Sequence, residues 1–599
     1  MNNDPLASMR HSCEHVLTQA MLKLYPNLLM AMGPAIDDSF YFDFDANLPA
    51  GGKISEEDFP KIEAEMAQII KQNLPITPEE ISVEEARKLF PNNPYKQEWL
   101  NEIEKRGEKA IIYKTGNDFT DLCAGPHVES TRKIGPFKLL SVSGAYWHGN
   151  EKNKMLTRIY GTCFNTQEGL DKYLLQQEDA KKRDHRVLGK ELDLFVFSDI
   201  VGKGLPLLTP KGTVIRKELE KFVIEEETKR GYQHVITPPL AKTELYKTSG
   251  HYPYYKDTMY PVMKVDEEEL ILRPMTCPHH FMLYKSKGRS YQELPIRFAE
   301  LSPQFRYEKS GELSGLTRVR MFCLADAHIM CTKDQAKDEI KKVLELIDYA
   351  NQVFGLIKGE DYRYRLSLGD RGDNKKYFKD DAAWDSAEDI LRNVLQETNA
   401  PFYQAPGEAA FYGPKIDIQI KKVNGQEETA FTVQYDFVMP QRFEMKYINS
   451  AGEEEQPVVI HRSSIGAFER TMAFLIEKYA GAFPVWLSPI QVMIIPIADR
   501  HNDYATTISN KLLAPRSVSE EGSALNIRCS IDTRSERMQA KIRDAQIQKI
   551  PYMLIVGDRD MTANTVSVRT REEKDLGAMP IDQFIKLVSS KISTKSLNL

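Results

Sequence analysis

Residues 297–328 read RFAELSPQFRYEKSGELSGLTRVRMFCLADAH. Strand-like runs at the two ends of this stretch flank a polar loop that begins at Gln304-Phe-Arg306-Tyr-Glu308. Similar runs and loops follow one another at irregular intervals between about residues 194 and 486, without the regular alternation of strand and helix that a parallel sheet requires. The pattern predicts an antiparallel sheet flanked by helices.

The length of the chain predicts several domains, because 599 residues exceed what one hydrophobic core organises. We expect a multidomain α+β protein with segments at 1–168, 169–193, 194–487 and 488–599. The second segment is highly charged, contains Lys181-Lys-Arg-Asp-His185, and is typical of a linking helix. In the last segment short apolar strands alternate with helical stretches, which is typical of a separate α/β domain.

The composition excludes some classes of protein. No apolar run approaches the ~20 residues of a membrane helix, so we expect no membrane partner. Seven dispersed cysteines and the lack of a secretory signal at the N-terminus predict a cytoplasmic protein. The net charge of −6 gives no overall basic field for nucleic acid, although residues 489–599 carry a small excess of basic side chains.

A second stretch, Arg273-Pro-Met-Thr-Cys277-Pro-His-His280, contains a candidate metal ligand. Cys277, His328 and His461 together offer one thiolate and two imidazoles, a set that suits zinc. Three protein ligands would leave one coordination position for a substrate. Spacing alone fits equally well with a buried thiol and two structural histidines, and both interpretations stay open at this point.

Short motifs and their order give the chain a resemblance to a known family. Pro239 at a strand end, the 305–308 motif and Gly466-Ala-Phe-Glu469-Arg470 follow the order of the three motifs of class II aminoacyl-tRNA synthetases. Further motifs resemble the threonyl-tRNA synthetases: RPMTCP at 273–278, FYGPK at 411–415, TVQ at 432–434 and HRSSIGAFER at 461–470. The resemblance covers essentially the whole chain. It implies a ligase that joins L-threonine to tRNA(Thr) with ATP, through threonyl-adenylate.

The resemblance implies a role for each matched residue. Joining an amino acid to ATP requires that negative charge on the α-phosphate be stabilised, and a planar guanidinium can meet two phosphate oxygens at once. Arg306 is implied at the α-phosphate, Glu308 at the adenine and Arg470 at the γ-phosphate, with Mg²⁺ carried by ATP. The resemblance adds Lys415 to the catalytic set, and to the threonine pocket it adds Met275, Asp326, Tyr412 and Gln434.

The resemblance also implies one zinc ion per subunit, held by Cys277, His328 and His461. Threonine and valine have nearly the same shape, and an apolar pocket separates such pairs poorly. A three-ligand zinc can take both the amino group and the hydroxyl of threonine, whereas valine has no hydroxyl to offer. The zinc is therefore expected to reject valine.

The chain departs from the family pattern beside His328. Many members read Phe-Thr-Gln-Asp-Asp-Ala-His where this chain has Phe322-Cys-Leu-Ala-Asp-Ala-His328, so Leu324 and Ala325 replace two polar residues. We expect the zinc ligands to be kept and the hydrogen bonds around the substrate to differ. His279 and His280 are interpreted as structural, and the small ubiquitin-like domain that precedes many bacterial relatives is expected to be missing.

The N-terminal segment resembles the editing domain that threonyl- and alanyl-tRNA synthetases share. The resemblance rests on His11-x-x-x-His15 and Cys123-x-x-x-His127, and Lys96 and Asp121 match further positions. Serine lacks only one methyl of threonine, a difference of about 1–3 kcal/mol, so a second step that hydrolyses seryl-tRNA is expected. The four His and Cys residues either bind a metal ion, as histidines four apart on a helix often do, or position water without metal, which the resemblance favours.

The C-terminal α/β domain resembles the family's anticodon-binding domain. Its expected tRNA contacts are Arg543, Lys549, Asp560 and Arg569. A symmetric homodimer formed through residues 212–239 is usual for this group of class II enzymes. Two alternatives stay open: a tRNA-binding paralogue without aminoacylation, and a separate hydrolase of mischarged tRNA. The intact Arg306, Arg470 and zinc ligands argue against the first, and the ATP motifs argue against the second.

Overall fold

The computed structural model of the protein describes residues 5–36, 38–46, 53–373, 375–514, 516–517 and 524–599. The chain divides into two compact units, Met1–Gln177 and Glu178–Leu599. Among the described residues, no helix is both long enough and apolar enough to cross a membrane. The predicted multidomain α+β fold is confirmed.

The first unit packs its N-terminal helix, Pro5–Leu24, against the helix Phe59–Lys71 and the strand Ser39–Asp45. Its larger sheet has the strand order Leu29–Met30, Ser39–Asp45, Met155–Cys163, Phe137–Tyr146, and Ala35–Ile36 pairs with the second of these. A smaller antiparallel sheet contains Ile76–Ile81, Ala110–Thr115 and Phe119–Leu122. The helices Val83–Leu89 and Pro94–Lys105 precede its second strand.

The N-terminal helix follows the apolar spacing of its sequence. Cys13, Val16, Leu17 and Ala20 are fully buried, so this face of the helix belongs to the core of the first unit. The helix Pro94–Lys105 begins where Asn93 accepts hydrogen bonds from the backbone of Tyr95 and Lys96, with Pro94 at its first position. The cap fixes the start of this helix and therefore the position of Lys96 on its first turn.

The charged segment predicted as one linking helix contains two. These are Gln167–Lys182 and His185–Glu191. Asp184 separates them because its carboxylate caps the second helix, accepting a hydrogen bond from the backbone N–H of Arg186 at 2.8 Å. A residue that caps a helix takes a non-helical backbone, so a continuous helix through Asp184 is excluded.

The large sheet of the second unit has eight strands and is mainly antiparallel, as predicted. Only its two outermost pairings are parallel. In spatial order the strands are Gln233–His234, Ile296–Phe305, Met321–Cys331, Val458–Ala467, Glu427–Asp436, Lys415–Lys421, Tyr362–Leu368 and Phe402–Pro406. The two ends of the 297–328 stretch are thus adjacent antiparallel strands, joined by a polar loop.

Long amphipathic helices cover this sheet. The helix Lys333–Val353 begins with a capping box formed by Thr332 and Gln335 and buries Ile340, Val343 and Ile347 in the main core. The helix predicted from Gly212 to Arg230 is present as Pro210–Lys229. The other helices of this region are Thr243–Ser249, His251–Tyr254, Cys277–Lys285, Asp381–Glu397, Met439–Arg442 and Phe468–Tyr479. Short strands outside the large sheet are Phe195–Val196, Leu207–Leu208, Leu240–Lys242, Met263–Val265, Glu268–Leu272, Tyr447–Ile448 and Glu454–Glu455.

The C-terminal part of the second unit forms its own five-stranded sheet. The strand order is Cys529–Ile531, Val492–Pro496, Tyr552–Val556, Thr565–Thr570, Asp575–Pro580, with parallel pairing among the first three and antiparallel pairing after them. Its helices are Asn502–Leu513, Met538–Ile547, Asp558–Ala563 and Ile581–Ser593, and Arg516–Ser517 pairs with Ala524–Leu525. The predicted α/β character is confirmed.

Candidate active site

Cys277, His328 and His461, below called the Cys-His trio, meet although they are far apart in sequence. His328 and His461 form a register pair on adjacent antiparallel strands, and their ring centroids are 4.6 Å apart. Cys277 is the first residue of the helix Cys277–Lys285. The sulfur and one nitrogen of each ring lie within 4.8 Å of one another, and all three residues are buried. The structure thus brings the three predicted ligands together.

A chain of hydrogen bonds determines the tautomer of His328. Nε2 of His280 lies 3.2 Å from Oε2 of Glu300, so this nitrogen carries the proton and donates it. Nδ1 of His280 is then the acceptor for Nδ1–H of His328, at 2.9 Å. His328 is left with an unprotonated Nε2, the form in which an imidazole binds a metal ion.

Glu300 stays ionised at the end of that chain. Burial raises the pKa of its carboxyl, but hydrogen bonds from His280 and Thr237 and the charge of Arg273 bring this pKa below its ordinary value. Arg273 itself lies 3.1 Å from Oε1 of Glu300 and is completely buried. The first residue of the RPMTCP motif is therefore linked to His328 through Glu300 and His280.

Asp436 orients His461 in the same way. Its Oδ2 lies 2.7 Å from Nε2 of His461, which therefore donates and leaves Nδ1 with a free lone pair. Oδ1 of Asp436 accepts from the backbone N–H groups of Val438 and Met439, both at 2.9 Å. The carboxylate is held from both sides and has no freedom to rotate away.

The charges of the Cys-His trio fit a cation. Burial, and then the carboxylates of Asp326 and Asp436, raise the pKa of Cys277 well above its usual value. A thiolate at this position therefore needs a positive charge beside it. Burial also lowers the pKa of His328 well below its usual value, which keeps the ring neutral. One sulfur and two neutral imidazoles with hydrogen-bonded outer partners fit a zinc ion with three protein ligands.

Tyr412, Gln434 and Asp326 surround the trio. The Tyr412 hydroxyl donates to Oε1 of Gln434 at 2.5 Å, and the Tyr412 ring lies 5.3 Å from that of His461. Asp326 is buried and accepts from the side-chain amide of Gln304 at 3.3 Å. Burial raises the pKa of Asp326 above its usual value. The polar groups beside the trio are therefore a phenol, an amide and a carboxyl.

Met275 and Lys415 both contact other residues of the second unit. The backbone carbonyl of Met275 accepts from the Tyr246 hydroxyl at 3.2 Å, and its side chain packs against the apolar cluster that contains Cys277. Nζ of Lys415 lies 3.0 Å from Oδ2 of Asp417, which is fully buried. Lys415 is thus an ion-paired cation at the pocket.

A cavity of about 240 Å³, below called the arginine cavity, is lined by Arg306, Glu308 and Arg470. Burial, opposed by Glu308 and reinforced by Arg470, lowers the pKa of Arg306. Nε of Arg306 is buried without a hydrogen-bond partner in the described part of the chain. Arg470 donates to the carbonyls of Thr317 and Thr429, at 3.3 and 3.1 Å. Two guanidinium groups with donors to spare indicate an anion site.

Leu324 and Ala325, the departures from the family pattern, point to opposite faces of their strand. Leu324 lines the arginine cavity, whereas Ala325 is 1% exposed and belongs to the main hydrophobic core. Of the two, Leu324 alone lines that cavity, so it replaces a polar wall with an apolar one.

The N-terminal unit has a separate cavity of about 590 Å³, below called the N-terminal cavity. His11, His15 and Cys123 line it. Sγ of Cys123 lies 3.3 Å from Nε2 of His11 and 3.2 Å from Nε2 of His127, while Nδ1 of His127 lies 3.2 Å from the Ser12 hydroxyl. The four predicted residues thus form one cluster, with ligand atoms within 4.8 Å of one another. This geometry accommodates either a metal ion or a metal-free site.

Lys96 and Asp121 also line the N-terminal cavity, as a tight ion pair. Nζ of Lys96 lies 2.5 Å from Oδ1 of Asp121, and both side chains are 3% exposed. Oδ1 also accepts from the backbone N–H of Leu122 at 2.7 Å. A buried pair of this kind can offer its cation to a ligand only while Asp121 keeps it in place.

Sequence reasoning missed several residues at both sites. Glu14, between His11 and His15, is 1% exposed, lines the N-terminal cavity and has an Oε2 without a hydrogen-bond partner among the described residues. Burial raises its pKa well above the usual value. Asp436 and the connecting role of His280 were also missed. An acidic residue inside His-x-x-x-His was a usable signal, whereas nothing near Asp436 in the sequence indicates its partner.

The predicted tRNA-contacting residues lie at different places in the C-terminal sheet domain. Asp560 is buried and accepts from the Ser567 hydroxyl at 3.0 Å and from the backbone of Gly557 at 3.1 Å. Arg569 is half-buried on the strand Thr565–Thr570. Lys549 lies two residues after the end of the helix Met538–Ile547, and the side chain of Arg543 on this helix is 71% exposed.

Three family descriptions match successive parts of the chain. Residues 112–160 match the threonyl and alanyl tRNA synthetase second additional domain. Residues 260–479 match the tRNA synthetase class II core domain (G, H, P, S and T), and residues 491–591 match an anticodon binding domain.

Full-length relatives and a solved structure extend these matches. The chain is 49% identical over 592 residues to the threonine–tRNA ligase of Anoxybacillus flavithermus, which covers 98% of this chain and 89% of the relative. It is 47% identical over 597 residues to that of Streptococcus gordonii, covering 99% and 90%. A crystal structure of the RNA binding domain of threonyl-tRNA synthetase from Cryptosporidium parvum matches with a TM-score of 0.62 and 34% identity, over 68% of this chain and 98% of that one.

Proposed function

The chain belongs to the threonine–tRNA ligases, a family of class II aminoacyl-tRNA synthetases, and on that premise we propose how its residues divide the work. It uses ATP with Mg²⁺ to join L-threonine to tRNA, and its N-terminal domain edits the product. The observation that carries the proposal is the presence of the Cys-His trio and the arginine cavity in the same unit, with His328 and His461 on adjacent strands of its large sheet.

Arg306 and Arg470 bind ATP in the arginine cavity. Arg306, buried and with an unfilled donor, holds the α-phosphate and stabilises the charge that develops there as the threonine carboxylate attacks. Arg470 is anchored by two backbone carbonyls and holds the γ-phosphate end. Glu308, which lines the same cavity, accepts from the adenine amino group.

Cys277, His328 and His461 would hold zinc, one ion per subunit. The bound ion would supply a Lewis acid to which the amino group and the hydroxyl of threonine could bind. Asp326 and Tyr412 are close enough to the trio to hydrogen-bond the same substrate groups, while Lys415, ion-paired with Asp417, carries a positive charge at the pocket. Asp436 and His280 keep the two imidazoles in their metal-binding tautomers.

Threonine-dependent exchange between ATP and pyrophosphate tests this function against its alternatives. The wild-type protein is expected to catalyse the exchange with threonine and to lose it when the metal is chelated. A tRNA-binding paralogue or a separate hydrolase of mischarged tRNA would give no exchange under either condition, and that result would overturn the proposal.

The N-terminal cavity hydrolyses seryl-tRNA without a metal ion. Lys96 polarises the ester carbonyl, with its position fixed by Asp121, and the histidines take up and release the protons. Burial raises the pKa of Cys123 to about 12, so this residue is a thiol that hydrogen-bonds the neighbouring rings.

The double variant His11→Ala with Cys123→Ala tests the editing site. It is expected to charge tRNA with threonine at nearly the wild-type rate and to clear seryl-tRNA at least about 100-fold more slowly, because proton transfer is lost. Release of serine from preformed seryl-tRNA measures this. A matched pair, His148→Ala with Cys163→Ala, changes the same residue types outside the cavity and should clear seryl-tRNA normally. Unchanged clearance by the first pair, or zinc bound in the N-terminal unit, would contradict the proposal.

The C-terminal sheet domain binds the anticodon of tRNA(Thr). Arg569, half-buried on the strand Thr565–Thr570, suits readout of a base edge, and Asp560, which accepts from Ser567 on that strand, is the second candidate for base readout. Arg543 and Lys549 supply positive charge to the tRNA backbone. Arg569→Ala is expected to weaken tRNA binding by about tenfold, roughly the 1–3 kcal/mol of one base contact. Exchange of ATP and pyrophosphate, which needs no tRNA, should be unaffected. Equal tRNA affinity in the variant would exclude this role.

The protein forms a symmetric homodimer through residues 212–239. Ile236, two residues before Pro238, is 96% exposed, an unusual state for isoleucine on a monomer surface. Sedimentation at micromolar concentration is expected to give twice the mass of one chain, and a monomer would contradict the dimer. Free thiols at all seven cysteines support a cytoplasmic location.

A further inference from the structure

His185 is buried although it ends a run of charged residues. The ring is 3% exposed and begins the helix His185–Glu191, directly after the capping Asp184. A histidine within Lys-Lys-Arg-Asp-His would ordinarily be a solvated residue of a linker. Burying it requires partners for both ring nitrogens.

Both ring nitrogens have partners on different elements of the second unit. Nδ1 lies 2.7 Å from Oε1 of Glu477, on the helix Phe468–Tyr479 that also carries Arg470. Nε2 accepts from the backbone N–H of Leu316 at 3.1 Å. A backbone N–H can only donate, so Nε2 is unprotonated and Nδ1–H donates to the Glu477 carboxylate. The two hydrogen bonds select one tautomer and one ring orientation.

Leu316 belongs to the loop 306–320, which carries the walls of the arginine cavity. Leu316 and Thr317 line the cavity, and the carbonyl of Thr317 accepts from Nε of Arg470. Arg318, close to the C-terminal end of the loop, donates to the carboxylate of Glu308, close to its start, at 2.9 Å. A displacement at Leu316 would therefore reach the groups proposed to bind ATP.

Gly315 shows how closely the ring and the loop fit. Its φ is +48°, and a Cβ added there would lie 2.1 Å from Nε2 of His185. The imidazole fills the space that the missing side chain leaves. The close contact with Gly315 and the hydrogen bond to Leu316 together fix the position of the loop relative to the ring of His185.

We propose that His185 is a positioning residue that holds the 306–320 loop in the conformation that binds ATP. The inference rests on the proposed ATP site. The Glu477 carboxylate orients the ring, the ring holds Leu316, and Leu316 and Thr317 set the loop against Arg470. None of the residues proposed to hold zinc or threonine lies on the 306–320 loop, so His185 should affect ATP and leave threonine binding unchanged.

Three substitutions separate the two hydrogen bonds of His185. Asparagine can replace Nδ1 as the donor to Glu477 but is too short to reach Leu316. Glutamine can place an acceptor for the backbone N–H of Leu316 where Nε2 was. Alanine removes both hydrogen bonds. Arg183→Ala is the matched control, because Arg183 donates to the carbonyl of Lys478 at 3.3 Å in the same segment and lies outside the cavity lining.

Calorimetric titration of the full chain with ATP, and separately with threonine, tests the proposal without requiring activity. His185→Asn and His185→Ala are expected to weaken ATP binding by about tenfold, the factor that ~1.4 kcal/mol for an unpaired buried N–H gives. His185→Gln should stay within about threefold of wild type, and Arg183→Ala within about twofold, on the same free-energy scale. Threonine binding should be unchanged in all four variants.

Two results would overturn the proposal. One is wild-type ATP affinity in His185→Asn. The other is an equal loss of ATP and threonine binding, with a lowered melting temperature, which would show a general structural role. If His185→Ala does not fold, the asparagine and glutamine variants still decide, since they differ in the Leu316 bond. Wild-type protein that binds ATP but gives no exchange would count against the proposed function. The role of His185 would then still be decided by the ATP affinities of its variants.

Discussion

Cys277→Ala is expected to lower threonine-dependent exchange between ATP and pyrophosphate by at least about 10³-fold, because it removes both a metal ligand and the electrostatic stabilisation that the site offers. The two remaining imidazoles are held by His280 and Asp436 but provide no negative charge to retain a dication. The zinc content of the purified variant should fall with the activity. ATP binding should survive, because the arginine cavity does not include Cys277.

Cys331→Ala is the matched control for this experiment. Cys331 is a completely buried thiol on the strand that carries His328, but it belongs to the hydrophobic core and has no role in the trio. It should keep zinc and exchange activity. Equal loss of zinc and exchange activity in the two variants would mean that any buried cysteine of this region matters. Full activity of Cys277→Ala would contradict the assignment of Cys277 as a metal ligand.

Arg306→Lys should lower the exchange rate by about 10³-fold while leaving threonine binding and zinc content unchanged. Lysine keeps the positive charge but loses the planar fork that can meet two phosphate oxygens. The buried Nε of Arg306 has no partner within the described chain, so a phosphate oxygen is available to satisfy it. Steady-state rates at saturating ATP distinguish a loss in the reaction step from weaker binding.

Arg297→Lys makes the same chemical change on the strand Ile296–Phe305, which ends directly before Arg306. Arg297 pairs with Glu339 at 2.6 Å and does not line the arginine cavity. The variant should exchange at nearly the wild-type rate. If both lysine variants lose activity equally, the effect comes from the strand and not from phosphate contact at Arg306.

Much of the fold could be predicted from local patterns. The two strands at the ends of the 297–328 stretch are long, with 10 and 11 residues, and Thr332 with Gln335 marks the start of the following helix. The break at Asp184 was missed because charged residues on both sides continue a helical pattern, while the cap that breaks it depends on one side-chain hydrogen bond.

Of the candidate sites, only the residues that lie within recognisable motifs could be predicted. His328 and His461 were identified by resemblance, but their meeting depends on strand register, which no short motif encodes. The partners that select their tautomers, His280 and Asp436, come from a helix and from the end of another strand. His185 illustrates the same limit, because its role depends on a loop and a helix distant in sequence.

The most direct test of the central claim compares threonine with valine in the exchange reaction while zinc is measured in the same sample. We predict one zinc per chain and a preference for threonine of about 10⁴-fold, since a site built to bind a hydroxyl rejects its methyl analogue by that order. Chelation of the zinc should abolish threonine activation, and the activity should return when zinc is added back. A protein that discriminates equally well after its metal is stripped would contradict the assignment of Cys277, His328 and His461.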